Sequence, residues 1–154
     1  MVDALARGLL RCAAAGFRVF ARLVHPVVVG AAVVVWRGDE ILVVTPSYRR
    51  WETIPGGRVG RRESPRHAAA RELREEAGLD VDDASLQSLG VRRVDHSDTE
   101  DHVHFFACRL PEGQTVRVDQ REIVRARFAA PATLRDVRCW PPLTVLLERG
   151  IEPL

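Results

Sequence analysis

Residues 57–79 read Gly57-Arg58-Val59-Gly60-Arg61-Arg62-Glu63-Ser64-Pro65-Arg66-His67-Ala68-Ala69-Ala70-Arg71-Glu72-Leu73-Arg74-Glu75-Glu76-Ala77-Gly78-Leu79. The second part of this stretch is a helix whose two ends are both marked. Ser64 is a good N-cap, and Pro65 falls at the first helical position, where its missing N–H costs nothing. The helix is expected to run through Ala77 and to end at Gly78, a residue suited to the left-handed C′ position. Glu72, Glu75 and Glu76 stand at i, i+3 and i+4, so their carboxylates share one face. Ala69, Ala70, Leu73 and Ala77 supply the packing surface. Like charges on one face repel, a local cost that bound cations offset. Hard divalent cations such as Mg²⁺ take oxygen ligands of this kind. Read alone, a Glu-x-x-Glu-Glu run is more often a solvated helix face.

The loop before the helix changes that reading. Pro55-Gly56-Gly57 lets the backbone pass close to a metal site, because glycine adopts dihedrals closed to other residues. A carbonyl there can become a further oxygen ligand. Taken as a whole, the segment resembles the Nudix box, G-x5-E-x7-R-E-U-x-E-E-x-G-U with U aliphatic. Gly57, Glu63, Arg71, Glu72, Leu73, Glu75, Glu76, Gly78 and Leu79 fill every fixed position.

The resemblance implies a role for each position. Glu72, Glu75 and Glu76 are expected to bind metal and activate water, and the Gly56 carbonyl to join the metal shell. Glu63 and Arg71 are expected to pair and hold the loop to the helix. Glu122, ahead of the segment Ile123-Val124-Arg125-Ala126-Arg127-Phe128, resembles the additional acid that family members often supply from a later loop. The order of preference for the general base is Glu72, then Glu75, then Glu122. The implied reaction is Mg²⁺-dependent hydrolysis of a diphosphate linkage, with Mn²⁺ as a substitute. Nucleoside triphosphates and other nucleoside diphosphate derivatives come first as substrates. Nucleotide sugars, dinucleoside polyphosphates and isoprenoid or lipid diphosphates follow. The competing class is a non-catalytic ligand-binding module on the same fold; such domains usually lose catalytic acids, and this chain has lost none.

Around the box the chain alternates strands and helices. Residues from Asp3 to Val24 read as an amphipathic helix with an apolar row of Leu5, Leu9, Ala13, Phe17, Phe20 and Val24. His25-Pro26 ends it. Val27 to Trp36 and Ile41 to Thr45 read as a hairpin around Arg37-Gly38-Asp39-Glu40. Pro46 to Gly60 is read as a loop. Leu86 to Val94 and His102 to Leu110 are expected strands joined by the acidic stretch Asp95 to Asp101. Ile123 to Phe128 is a further strand. Pro131 to Arg135 reads as a short helix, and Pro141 to Arg149 as a last one. This mixture suggests an α/β/α sandwich with a mixed sheet, plus an extra N-terminal helix. The division expected is an N-terminal helix over residues 1–25 and a single catalytic domain over 26–154.

Bulk properties fit a soluble globular chain. The 154 residues are 46% hydrophobic and 29% charged, and the formal net charge of +2 is too weak a signal for nucleic-acid binding. All 23 basic residues are Arg, a bias that a GC-rich coding sequence produces. Cys12, Cys108 and Cys139 are far apart and odd in number, which argues against a disulfide framework or a zinc ribbon. Reduced thiols in the cytoplasm fit this pattern.

Outside the box, Tyr48-Arg49-Arg50-Trp51 lies just before Pro55. Trp51 is placed to stack on a base, and Arg49 and Arg50 to meet phosphate oxygens; core packing and solvated charge are the alternatives. His96, Asp98, His102 and His104 form a dense cluster, with His102 and His104 on one strand face. His104 is taken as a pocket-lining residue, in preference to a separate metal site. The basic N-terminal helix is expected to pack on the domain or to form a homodimer interface. Contact with an anionic membrane surface is the weaker reading.

Overall fold

The computed structural model describes residues 2–24, 26–95, 99–134, 139 and 141–154. β1 (Val27–Arg37) is the strand on which the others assemble. Its valine-rich run is buried from Ala31 to Trp36, and alternate side chains enter two separate cores. Ala31, Val33 and Val35 meet α2 (Pro65–Ala77) with Ala69, Leu73 and Ala77. Ala32, Val34 and Trp36 face the other way, toward Leu143, Leu146 and Leu147 of α4 (Pro141–Arg149). A strand buried on both faces lacks the polar alternation of a half-exposed one. The expected α/β/α sandwich is present.

β1 turns at Gly38 (φ 60°) into β2 (Glu40–Pro46), which pairs antiparallel with β6 (Ile123–Ala129). On its other edge β1 runs parallel to β5 (Glu100–Arg109), from Val27 beside Glu100 to Trp36 beside Arg109. β4 (Gln87–Asp95) completes the order β4-β5-β1-β2-β6. The acidic connection is therefore shorter than expected, with Asp95, Glu100 and Asp101 inside strands. The expected loop from Pro46 to Gly60 also contains a short strand, β3 (Gly56–Arg58). β3 pairs with β1 at Gly30, Ala31 and Ala32, a stretch that β2 does not cover. α3 (Pro131–Leu134) is the short helix expected there; Arg135 lies outside the described residues.

α1 (Val2–Val24) forms as expected but turns a partly different side inward. Of the expected packing row, Phe17 is turned inward, whereas Leu5, Leu9, Ala13, Phe20 and Val24 are exposed. Ala21 is buried instead, Ala14 and Phe17 are half-buried, and the Phe17 ring lies 4.6 Å from the Arg58 guanidinium. Small side chains let the helix approach closely, and a cation–π contact joins it to β3. Among the described residues no helix is long and apolar enough to cross a membrane.

The ends of α2 match the sequence. The Ser64 hydroxyl accepts from the His67 N–H at 3.1 Å. Gly78 has φ 65°, and its N–H donates to the Arg74 carbonyl at 3.1 Å. A Cβ on Gly78 would stand 3.0 Å from the Arg117 carbonyl oxygen. Gly78→Ala is therefore expected to lower stability by about 1–3 kcal/mol, from left-handed strain and the close carbonyl. The urea midpoint measures it; an unchanged midpoint would mean that the turn relaxes freely.

Candidate active site

The site forms where the inner side of α2 meets β3. Glu76 is 5% exposed, and its carboxylate accepts the Gly56 N–H at 2.9 Å. Burial raises its pKa well above the carboxylate range; the Gly56 hydrogen bond opposes the shift, and Glu72, Glu122 and Glu75 add to it. Glu72 lies one turn earlier. A Cβ at Gly57 would press on its carboxylate, so a side chain there would have to displace the end of Glu72. Burial likewise raises Glu72, and Arg71 only partly offsets it. Glu75 is the exposed member, with its side chain 58% accessible.

Arg71 ties the loop to the helix. Its Nε donates to Glu63 Oε1 at 2.9 Å and its Nη2 to Glu63 Oε2 at 3.2 Å, a two-pronged pairing. Nη1 reaches Glu72 at 2.8 Å and Glu75 at 3.0 Å, and Nη2 also donates to the Arg58 carbonyl at 3.1 Å. Glu63 is held below its ordinary pKa by Arg71 and by the Gly60 N–H. The loop, β3 and α2 are thus fastened through one guanidinium.

Glu122 approaches from the start of β6. Asp119 Oδ1 accepts the N–H groups of Arg121, Glu122 and Ile123 at 3.0, 3.1 and 3.3 Å, which shapes the turn before the strand. The Glu122 carbonyl accepts the Ser47 N–H at 2.7 Å. Burial raises the Glu122 carboxylate first, followed by repulsion from Asp119 and Glu75; the Tyr48 hydroxyl partly offsets this. Tyr48 itself is pushed up to about 12, chiefly by burial and then by Glu122. Sequence reading passed over the link from Tyr48 to Glu122. The motif ends far from residue 48, and only the pairing of β2 with β6 brings the two segments together.

The other expected residues sit around this group. His104 on β5 neighbours Ala31, which pairs with Gly57, so the three form one row across the sheet. Burial, then His102, lowers the His104 pKa. Arg49 and Arg50 border a cleft of about 350 Å³; half-buried Trp51 follows them in the loop. His96 and Asp98 lie outside the described residues. A larger cleft of about 530 Å³, near Asp80, Leu110 and Leu154, contains none of the four glutamates.

Among the described residues no three His, Cys, Asp or Glu side chains converge on one point. Arg71 draws Glu72 and Glu75 to one side, while the Gly56 N–H draws Glu76 to another. The donor set still fits a hard divalent cation. It is all oxygen, and three of its acids carry pKa values raised by burial and mutual repulsion, a cost that positive charge relieves.

A family model described as NUDIX domain matches residues 26–147. No curated protein matches the sequence. Among solved structures, the fold is similar to that of a MutT NUDIX hydrolase from Burkholderia pseudomallei: 18% identity, TM-score 0.71, covering 81% of this chain and 98% of that one. A MutT protein from Methanosarcina mazei Go1 gives 17% identity and a TM-score of 0.69, over 82% and 94% of the two chains. An Ap4A hydrolase from C. elegans gives 21% and 0.66, over 79% and 93%.

The raised acids predict a direction for pH dependence without metal. A carboxylate whose folded pKa lies above its unfolded one contributes stability below the unfolded value and loses it as pH rises through the folded value. In EDTA the thermal midpoint should fall as pH rises above the ordinary carboxylate range. Glu76→Gln keeps an acceptor for the Gly56 N–H and removes the charge. It should flatten this fall and raise the neutral midpoint, by about 2–4 °C per kcal/mol recovered. A lower neutral midpoint in the variant would contradict this account of Glu76.

Proposed function

Because the chain belongs to the NUDIX domain family and is a pyrophosphohydrolase, we propose that it cuts the diphosphate linkage of a nucleoside triphosphate or a related nucleoside diphosphate derivative, with Mg²⁺ as its metal and Mn²⁺ able to replace it. The observation that carries this reading is the grouping of Glu72, Glu75 and Glu76 on α2 with Glu122 at the start of β6, over a strand whose glycines leave room for them. Residues 26–154 form the catalytic domain in this reading, and residues 1–25 add a helix to it.

A bound divalent cation supplies neutralisation of the diphosphate oxygens and acidification of water. Glu72, Glu75, Glu76 and Glu122 would hold it, with the Gly56 carbonyl beside them. Glu72 is the preferred proton acceptor: it stands half-buried beside the strand glycines, and burial raises its pKa above the usual carboxylate range. Glu75 is the second choice and Glu122 the third. Glu63 and Arg71 keep the loop and α2 in register. Trp51 stacks on a base, Arg49 and Arg50 meet phosphate oxygens, and His104 borders the pocket. The products are X-phosphate and a second phosphorylated product or inorganic phosphate.

The test is a panel of nucleoside triphosphates, nucleoside diphosphates, nucleotide sugars, dinucleoside polyphosphates and isoprenoid diphosphates, with and without Mg²⁺, and with products identified by mass. Nucleotides should be cut in Mg²⁺ and not in EDTA. Glu75→Gln and Glu76→Gln should each lower turnover by about 100-fold or more. Turnover that survives both changes would remove the assigned mechanism. If no compound is cut while some bind, the chain is a ligand-binding module.

A further inference from the structure

α1 precedes the segment that the family model matches, yet it reaches the mouth of the site. Arg11 Nε donates to the Ser47 carbonyl at 3.2 Å. The helix thereby closes one side of the 350 Å³ cleft, whose other walls are Ser47, Tyr48, Arg49 and Arg50. Three guanidinium groups from two elements border one small volume. The terminal nitrogens of Arg11 make no hydrogen bond among the described residues, and Arg50 makes no ion pair among them. Arg49 lies 5.5 Å from the Tyr48 ring. Ser47 is only 7% exposed, and its buried hydroxyl has no hydrogen-bond partner among the described residues. A buried hydroxyl without a partner carries a free-energy cost that a ligand oxygen can relieve. Tyr48 belongs to both regions, since it lines the cleft and faces Glu122. The cationic cleft therefore adjoins the carboxylate group.

We propose that this cleft is a phosphate subsite, completed by Arg11 of α1, that selects substrates carrying a third phosphate beyond the two that flank the bond being cut. The proposal rests on the pyrophosphohydrolase reading above and narrows its substrate to nucleoside triphosphates and dinucleoside polyphosphates. The carboxylate side holds the reacting diphosphate with its metal. The arginine side takes the next phosphate through charge-assisted hydrogen bonds, a match that suits guanidinium geometry.

The test uses the full chain and has two readouts. In EDTA, inorganic tripolyphosphate and pyrophosphate are titrated calorimetrically. Tripolyphosphate should bind the more tightly, and more weakly as salt is raised. Arg11→Gln and Arg50→Gln should each weaken tripolyphosphate binding by about tenfold, whereas Arg11→Lys keeps the charge and should recover part of it. With Mg²⁺, Arg11→Gln should lower the ratio of kcat/KM for a nucleoside triphosphate over its diphosphate by about tenfold, through KM. Melting curves report whether α1 stays docked; if Arg11→Gln releases it, Arg50→Gln carries the test. Tripolyphosphate binding that is equal in wild type, Arg11→Gln and Arg50→Gln would overturn the subsite, whatever the chain hydrolyses. If nothing is hydrolysed but these variants still lose tripolyphosphate, the pyrophosphohydrolase reading fails and the anion cleft stands.

Discussion

Close approach between a glycine strand and a carboxylate helix governs this molecule. Gly56 and Gly57 let β3 lie against β1 and under α2 at once; a side chain at Gly56 would press on Ala31 and Ala32, and one at Gly57 on Glu72. The contact brings acidic groups together in a half-buried place, where they repel and resist ionisation. The fold contains this repulsion with fixed donors. Arg71 takes three carboxylates and a carbonyl, and the Gly56 N–H takes a fourth carboxylate. None of these donors cancels the charge of the whole group. A positive charge placed among these groups would relieve the repulsion.

The supports of that contact come from distant parts of the chain. β1 presents Ala31 to α2 and carries β3 on one edge and β5 on the other. β2 leaves β1 to pair with β6, which brings Glu122 and Tyr48 to the same place. Asp119 shapes the turn that aims Glu122, through backbone N–H groups alone. The sheet's topology thus does part of the work usually credited to the motif.

How much was legible follows the range of each interaction. The ends of α2 are set by neighbours within a few residues, so Ser64, Pro65 and Gly78 could be read directly. The hairpin of β1 and β2 was legible for the same reason. β3 was not, because Gly-Gly-Arg has no intrinsic strand preference and becomes a strand only against the edge of β1. The parallel register of β1 with β5 joins segments some seventy positions apart, and no local pattern records it. The periodicity of α1 showed a helix and Phe17 on its packing row but not the rest of its inward side, because Ala14 and Ala21 meet a surface built by other residues. Glu72, Glu75, Glu76, Glu63 and Arg71 were named from the motif; the part played by Tyr48 depends on folding.

α1 is attached to the body by few contacts, among them Arg11 to Ser47 and Phe17 to Arg58. Its sequence is consequently free of the demands that fix the core and the acids. Changes there leave the four glutamates untouched, yet they can reshape the rim of the neighbouring cleft. Such separation is a route to divergence: duplicated copies could keep one reaction and drift apart in diet by rewriting a single appended helix.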